Sequence, residues 1–239
     1  DWLWLKSRSA ATNHGLFDVV RVIGGAEAIL YSNTSAAENT GGAYISSFDS
    51  DGFSVNANTS GNGSGQTYVA WNWKAGGAPT TTNTAGVGAI PTAGSVKIDG
   101  VNSGSALAGS IAATSISANT TAGFSVVAFT SPASGAFTVG HGLGVAPSMI
   151  ILKDRASAGT NWGIYHVSMG AGNFMQLNTT TAMSANASVW NNTTPTSTTF
   201  ATTSNVIVNP SSASVAYCFA EVEGYSKMGT YTGNGSADG

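Results

Sequence analysis

Apolar residues along this chain come in short runs, several with a two-residue period, separated by stretches rich in Gly, Ser, Thr and Asn. Alternation of this kind places successive side chains on opposite faces of a strand. In Trp2-Leu3-Trp4-Leu5 both faces are apolar, Trp2 and Trp4 on one and Leu3 and Leu5 on the other, which predicts a central strand. Met149 to Leu152 is too short for a helix and right for a buried strand; the glycines and Pro147 before it read as a loop, and the run stops at Lys153, Asp154 and Arg155. Thr67 to Trp73 predicts another strand, with Tyr68, Ala70 and Asn72 on one face and Val69, Trp71 and Trp73 on the other. Further strands are expected over Gly15–Val22, Ala26–Tyr31 and Ala43–Phe48, the last turning through Asp49-Ser50-Asp51-Gly52 into Phe53–Val55. Later runs begin with Gly123–Thr130 and continue through Phe137, Val139, Trp162–Val167, Phe174–Leu177, Val189-Trp190, Thr199-Phe200 and Val206–Val208, ending in Ser214–Gly224.

The pattern occurs twice. Lys6 and Lys153, each closing an apolar run ahead of an arginine, stand 147 positions apart. His14–Asp18 faces Trp162–His166 at 148, Asn33–Ala37 faces Asn178–Ala182 at 145, and Val69–Trp73 faces Val215–Phe219 at 146. Segments in one order at nearly one spacing predict a tandem repeat of a single β-rich module. The expected fold is all-β: antiparallel sandwich or jelly-roll-like modules joined by a Gly/Thr/Ser-rich linker. The expected boundaries are a first module over 1–76, a linker over 77–119, a second module over 120–224 and the start of a third over 225–239. Within the linker, Ser95–Val101 carries an Asp-Gly turn signal and reads as a hairpin or arm projecting from the repeat. Lys227–Ser236 resembles Val126–Ser134 at the opening of the second module, hence the third. The first residue is Asp and lies at the head of a strand, so the chain reads as a segment of something longer.

Composition narrows the function classes. Charged residues make up 8% of the chain, against about 25% in ordinary soluble domains, so solubility falls to Ser, Thr, Asn and Gly. A net charge of -3 with 8 Lys and Arg leaves no basic face for a phosphate backbone, and nucleic acid is not an expected partner. No apolar run approaches the ~18 residues of a membrane helix. The lone Cys218, between Tyr217 and Phe219, reads as a small packed apolar group.

Candidate chemistry is sparse. Asp49 and Asp51 sit at alternate positions like the first ligands of a calcium loop, but no glutamate closes a twelve-residue loop, and a turn is the simpler reading. Glu221 and Glu223 would share a strand face about 6.5–7 Å apart, a spacing that glycoside hydrolysis permits, although two solvated glutamates at a strand end account for them equally well. His14, His141 and His166 lie in no metal or general-base motif, and no nucleotide or hydrolase signature occurs. No cofactor is expected. Aromatic faces that stack on sugars are the remaining prospect; Trp71 and Trp73 read as core, leaving Trp162, Tyr165, Trp190 and Tyr231 as glycan-contact candidates.

VGHGLGVAP at 139–147, the Lys153-Asp154-Arg155 ending, YVAWNWKAG at 68–76 and AYCFAEVEGYSKMGTYTGNGSADG at 216–239 resemble the repeated β-rich modules of tail-fibre-like virion structural proteins of marine tailed phages, those of cyanophages among them. The resemblance implies a component on the exterior of a virion, partnered by other virion proteins and by copies of itself, and it carries no established catalytic residues. The leading expectation is a non-enzymatic structural or adhesive part of a fibre or appendage. The alternatives are a lectin-like module contacting host surface glycan and, third, a polysaccharide-degrading enzyme.

Overall fold

The computed structural model describes residues 1–22, 28–57, 61–204 and 207–237. The first half holds β1 (Trp2–Ser7), β2 (Gly15–Asp18), β3 (Ala28–Tyr31), β4 (Asn39–Thr40), β5 (Ile45–Phe48), β6 (Phe53–Val55) and β7 (Tyr68–Trp73). The middle of the chain supplies β8 (Val96–Ile98), β9 (Val101–Asn102), β10 (Ser115–Asn119), β11 (Phe124–Thr130) and β12 (Ala136–Gly140). The rest adds β13 (Met149–Asp154), β14 (Gly163–His166), β15 (Asn173–Gln176), β16 (Ser184–Ala185), β17 (Thr199–Thr203) and β18 (Ala213–Phe219). Among the described residues there is no α-helix, only a single 3-10 turn over Val167–Met169. The protein is all-β, as expected, and its sheets are antiparallel except for one parallel pair, β8 with β10.

Five strands form a sheet in the order β4-β3-β2-β1-β7, and nine form a second in the order β16-β15-β14-β13-β18-β11-β10-β8-β9. The first five strands of the second sheet repeat the order of the first sheet one for one. The registers agree as well: Trp2 pairs with Trp73 and Asp18, and Met149, 147 positions on, pairs with Phe219 and His166. Gly15 opposite Leu5 and Gly163 opposite Leu152 occupy one position in this scheme. A side chain at Gly163 would run into Ile207 Cδ1, and one at Gly15 would crowd Ile29 and Phe17.

Alternation decides which layer each side chain joins. Trp2 and Leu16 from the first sheet meet Phe124, Val126, Ile151, Tyr217 and Phe219 of the second in one shared core. The opposite face of the second sheet, with Val127, Phe129, Ile150, Leu152 and Cys218, packs on Phe137, Val139, Phe200 and Trp190 under the β12–β17 pair. Leu3, Leu5 and Phe17 turn the other way, against the β5–β6 hairpin. β1 is therefore covered on both faces, as its Trp/Leu alternation predicts.

Three expectations are corrected. The hairpin at Ser95–Val101 exists, with Asp99 and Gly100 both at positive φ (51° and 87°) in its turn, but it does not project. β8 pairs in parallel with β10 and extends the second sheet, because buried Val96 and half-buried Ile98 supply apolar cover. The strand from Met149 does not stop at Lys153 but runs through Asp154, and both charged side chains are fully buried. Lys153 Nζ donates to the Thr160 carbonyl (2.6 Å), while the Asp154 carboxylate accepts from the amides of Ala156, Ser157 and Asn209 and from Ser212 Oγ, so each buried charge is met locally. The run expected to continue to Gly224 ends at Phe219. Parts of the strands expected at Ala26–Tyr31 and Val206–Val208 lie outside the described residues.

Candidate functional site

The most concentrated chemistry lies where the first sheet meets the second. β2 ends at Asp18, whose carboxylate is fully buried and accepts from the amides of Val20 (3.1 Å) and Arg21 (3.0 Å) and from the Tyr217 hydroxyl (2.8 Å). Arg21 folds back in the turn after β2, pairs through Nε with Asp18, donates from Nη2 to the Leu16 carbonyl (2.9 Å), and reaches Glu38 Oε1 from Nη1 (2.7 Å). Glu38 in turn takes Arg155 Nε and Nη2, the latter at 2.6 Å, and its own amide donates to the Arg155 carbonyl (2.8 Å). Two acids and two bases alternate along the chain of contacts, so the cluster is neutral while each charge has an opposite neighbour.

Electrostatics follow from that arrangement. Burial works to raise the Asp18 carboxyl, but the Arg21 charge and the hydrogen bonds from Arg21 and Tyr217 outweigh it and hold the group below the ordinary carboxylate range. Burial, with the Asp18 carboxylate beside it, pushes the Tyr217 hydroxyl well above its ordinary value despite the opposing pull of Arg21. Such a site holds its protons and its partners.

Around it, the loop after β3 docks on the loop after β13. Trp162 Nε1 donates to the carbonyls of Tyr31 (3.0 Å) and Thr34 (3.2 Å), and the Gly159 amide donates to the Ser35 carbonyl (2.9 Å). Trp162, expected as a sugar platform, is thus a fully buried joint between the halves. Tyr165 and Trp190 meet edge to face with centroids 5.7 Å apart in the lower core, each 1% exposed, and offer no ring to a glycan. Of the four aromatic candidates Tyr231 alone is on the surface, 95% exposed, and it lies far along the chain from the others.

A surface cleft of about 640 Å³ opens beside the β5–β6 turn, lined by Trp73, Phe48, Phe53, Asn72, Asp49 and Asp51 among others. The structure brings Asp49 and Asp51 together there, but Asp49 is engaged as a turn cap, accepting from Ser47 Oγ (2.7 Å) and Ser54 Oγ (2.8 Å), which hold its carboxyl below the ordinary range. Among the described residues no three or more of His, Cys, Asp and Glu come together as a metal would require. Glu221 and Glu223 lie beyond β18, around a turn closed by the Val222–Ser226 bridge, and Glu221 Oε1 accepts the Met228 amide (3.1 Å). His141 is buried, its Nε2 against the Thr196 carbonyl (3.1 Å) and its Nδ1 accepting the Leu143 amide; His166 Nδ1 meets Ser168 Oγ. The Cys218 thiol is fully buried, and burial pushes it up to about 12.

One family model matches residues 1–100 and matches again over residues 98–239. The chain belongs to the DUF7483 family, described as a domain of unknown function. The boundary between the two DUF7483 matches falls at the β8–β9 turn, where the first sheet's strands are complete and the second sheet's have begun. No curated protein and no solved structure matches the chain.

The sequence reading missed Asp18, Arg21 and Glu38 altogether. A signal existed: with only 8 basic and 11 acidic residues in the whole chain, any charged residue flanked by apolar runs, as Asp18 is by Leu16-Phe17 and Val19-Val20, is a candidate for burial with a partner.

Proposed function

We propose that this DUF7483 chain is a non-enzymatic structural and adhesive element, two copies of one β module fused into a stiff segment of a virion fibre or appendage on the exterior of the particle. The observation that carries the reading is the repeated strand order, β4-β3-β2-β1-β7 against β16-β15-β14-β13-β18, together with the Asp18–Arg21–Glu38–Arg155 chain, buried at Asp18 and Arg21 and half-buried at Glu38 and Arg155, that fixes one copy on the other. A joint with a shared apolar core and neutralised charges resists bending, which an element that spans distance requires. Its partners in this reading are other virion proteins and further copies of the chain. Gold-labelled antibody raised against the chain, applied to intact phage particles in negative-stain microscopy, is expected to decorate a fibre or appendage. Labelling confined to infected-cell lysate and absent from purified particles would remove the reading.

The cleft at Trp73, Phe48, Phe53 and Asn72 favours a second reading, recognition of a host surface glycan, because it sets aromatic faces beside amide and carboxylate groups that bond hydroxyls. A glycan array probed with the wild type and with Asn72→Ala separates the two: a hit lost in the variant supports recognition, and an empty array removes it.

A further inference from the structure

In the second sheet β18 has a strand on each side, β13 and β11. β7 holds the corresponding place in the first sheet, and among the described residues it has β1 on one side and no strand on the other. The consequence is visible in one pair of residues. Tyr217 of β18, opposite Val126 of β11, is fully buried, whereas its counterpart Trp71 of β7 is 45% exposed. An uncovered edge with a large aromatic on it is a template for strand addition.

The chain contains a second segment of the β11 kind. Tyr231-Thr232 matches Phe129-Thr130, and at the same offset of 102 positions Met228 falls on Val126 and Thr230 on Ala128. Residues 227–232 are in no strand, and apart from half-buried Met228 they are exposed. We infer that β7 of one copy is completed by residues 227–232 of a second copy, joining chains head to tail through an added antiparallel strand. The β11–β18 register fixes the pairing: Val126 faces Tyr217 and Ala128 faces Val215, so Met228 of the second copy faces Trp71 and Thr230 faces Val69. Met228 then covers the exposed indole, a thioether-on-aromatic contact. Within its own chain the tail takes another course, through the Val222–Ser226 turn, with the Met228 amide on Glu221 and its side chain half-buried on the shared core, and forms no strand with β7; pairing with β7 therefore draws on a neighbour's tail and releases Met228 from that packing. A heterologous contact of this kind propagates into a ring or filament. It deepens the fibre reading by naming the joint, yet the two fail separately, since strand exchange is a property of the isolated chain and particle labelling is not.

The test uses the full chain carrying Val69→Cys and Thr230→Cys, with Cys218 shielded in the core, oxidised and run without reductant. A ladder of covalent oligomers linked 69 to 230 is expected, weakened when the second cysteine is moved to Gly229, which points to the other face. In parallel, sedimentation of the wild type is expected to show concentration-dependent association that Gly229→Pro abolishes. Gly229 stands for Val127, one position before Ala128, whose carbonyl faces β10, so its N–H points at β7 and the proline removes a ladder donor at an exposed position. An intrachain 69–230 link, a wild type that stays monomeric as concentration rises, or association that survives Gly229→Pro would each overturn the inference.

Discussion

Asp18 and His166 occupy the same place in the two halves, each at the end of the second strand and directly opposite the first residue of a central strand, Trp2 in one case and Met149 in the other. Asp18 is fully buried and held by Arg21 and Tyr217, while His166 is half-buried and bonds Ser168 in the next turn. One strand order therefore accommodates a buried ion at this position or a half-buried ring. The topology must come from what the halves share, the apolar alternation of β1 and β13 and the glycine at positions 15 and 163. The charged cluster belongs to the contact between them.

The sharpest way to break that comparison is to neutralise both positions. Asp18→Asn leaves Arg21 without its nearest counter-charge in a dry site, and the expected loss is about 3–5 kcal/mol of unfolding free energy. His166→Asn, on a partly hydrated turn, is expected to cost within about 0.5 kcal/mol. Chemical denaturation of the two variants beside the wild type decides it, and equal losses would mean that the cluster does no more than a surface turn. pH gives the same information independently. Since the folded Asp18 carboxyl lies below its unfolded value near ~3.9, its stabilisation is present above that value and is lost as pH falls through the folded one. Asp18→Asn is expected to lack this part of the acid transition.

How much of this was legible follows the same division. Trp2 to Leu5 announced a strand covered on both faces because its two alternating sets are both apolar, and the offsets near 147 anticipated which strands correspond. The Asp99-Gly100 turn was legible because only a few residue pairs take two positive φ values in succession. What the hairpin packs against was not, since sheet edges are settled by long-range pairing. The aromatic candidates failed for a related reason: Trp162, Tyr165 and Trp190 carry the same local signature whether a ring faces solvent or a second layer, and only the stacking of sheets decides. Lys153 and Asp154 looked like the end of a strand because single charges usually are; carbonyls and amides from Thr160 and Asn209, distant or outside the run, reversed that.

Lys6 and Lys153 sharpen the comparison further, for both sit one step before the end of the central strand, opposite Val69 and Val215. Lys6 is half-buried, whereas Lys153 is fully buried with its ammonium on the Thr160 carbonyl. Burial lowers the Lys153 ammonium to about 8, against the opposing charge of Asp154. Between about 8 and the unfolded value near ~10.4 the unfolded chain binds the extra proton, so stability rises with pH across that window. The expected gain is on the order of 2 kcal/mol in the wild type, and Lys153→Met is expected to show no such rise. Denaturation curves at pH 7.5 and at pH 10 measure it. A rise that persists in Lys153→Met would assign the effect to another group.

A small effect is also expected at the edge residue. Trp71 touches Trp4 with ring centroids 5.7 Å apart but keeps nearly half its surface in water, so truncation removes one aromatic contact and little buried area. Trp71→Thr retains a good strand former at the position and is expected to cost about 1 kcal/mol or less in the dilute monomer. The matching change on the covered edge, Tyr217→Thr, empties a site between two layers and strips the hydroxyl from Asp18, for an expected cost of about 3–5 kcal/mol. Thermal unfolding of the two variants at one low protein concentration makes the measurement. Similar losses would mean that Trp71 is as deeply packed as Tyr217 and that β7 has no open side.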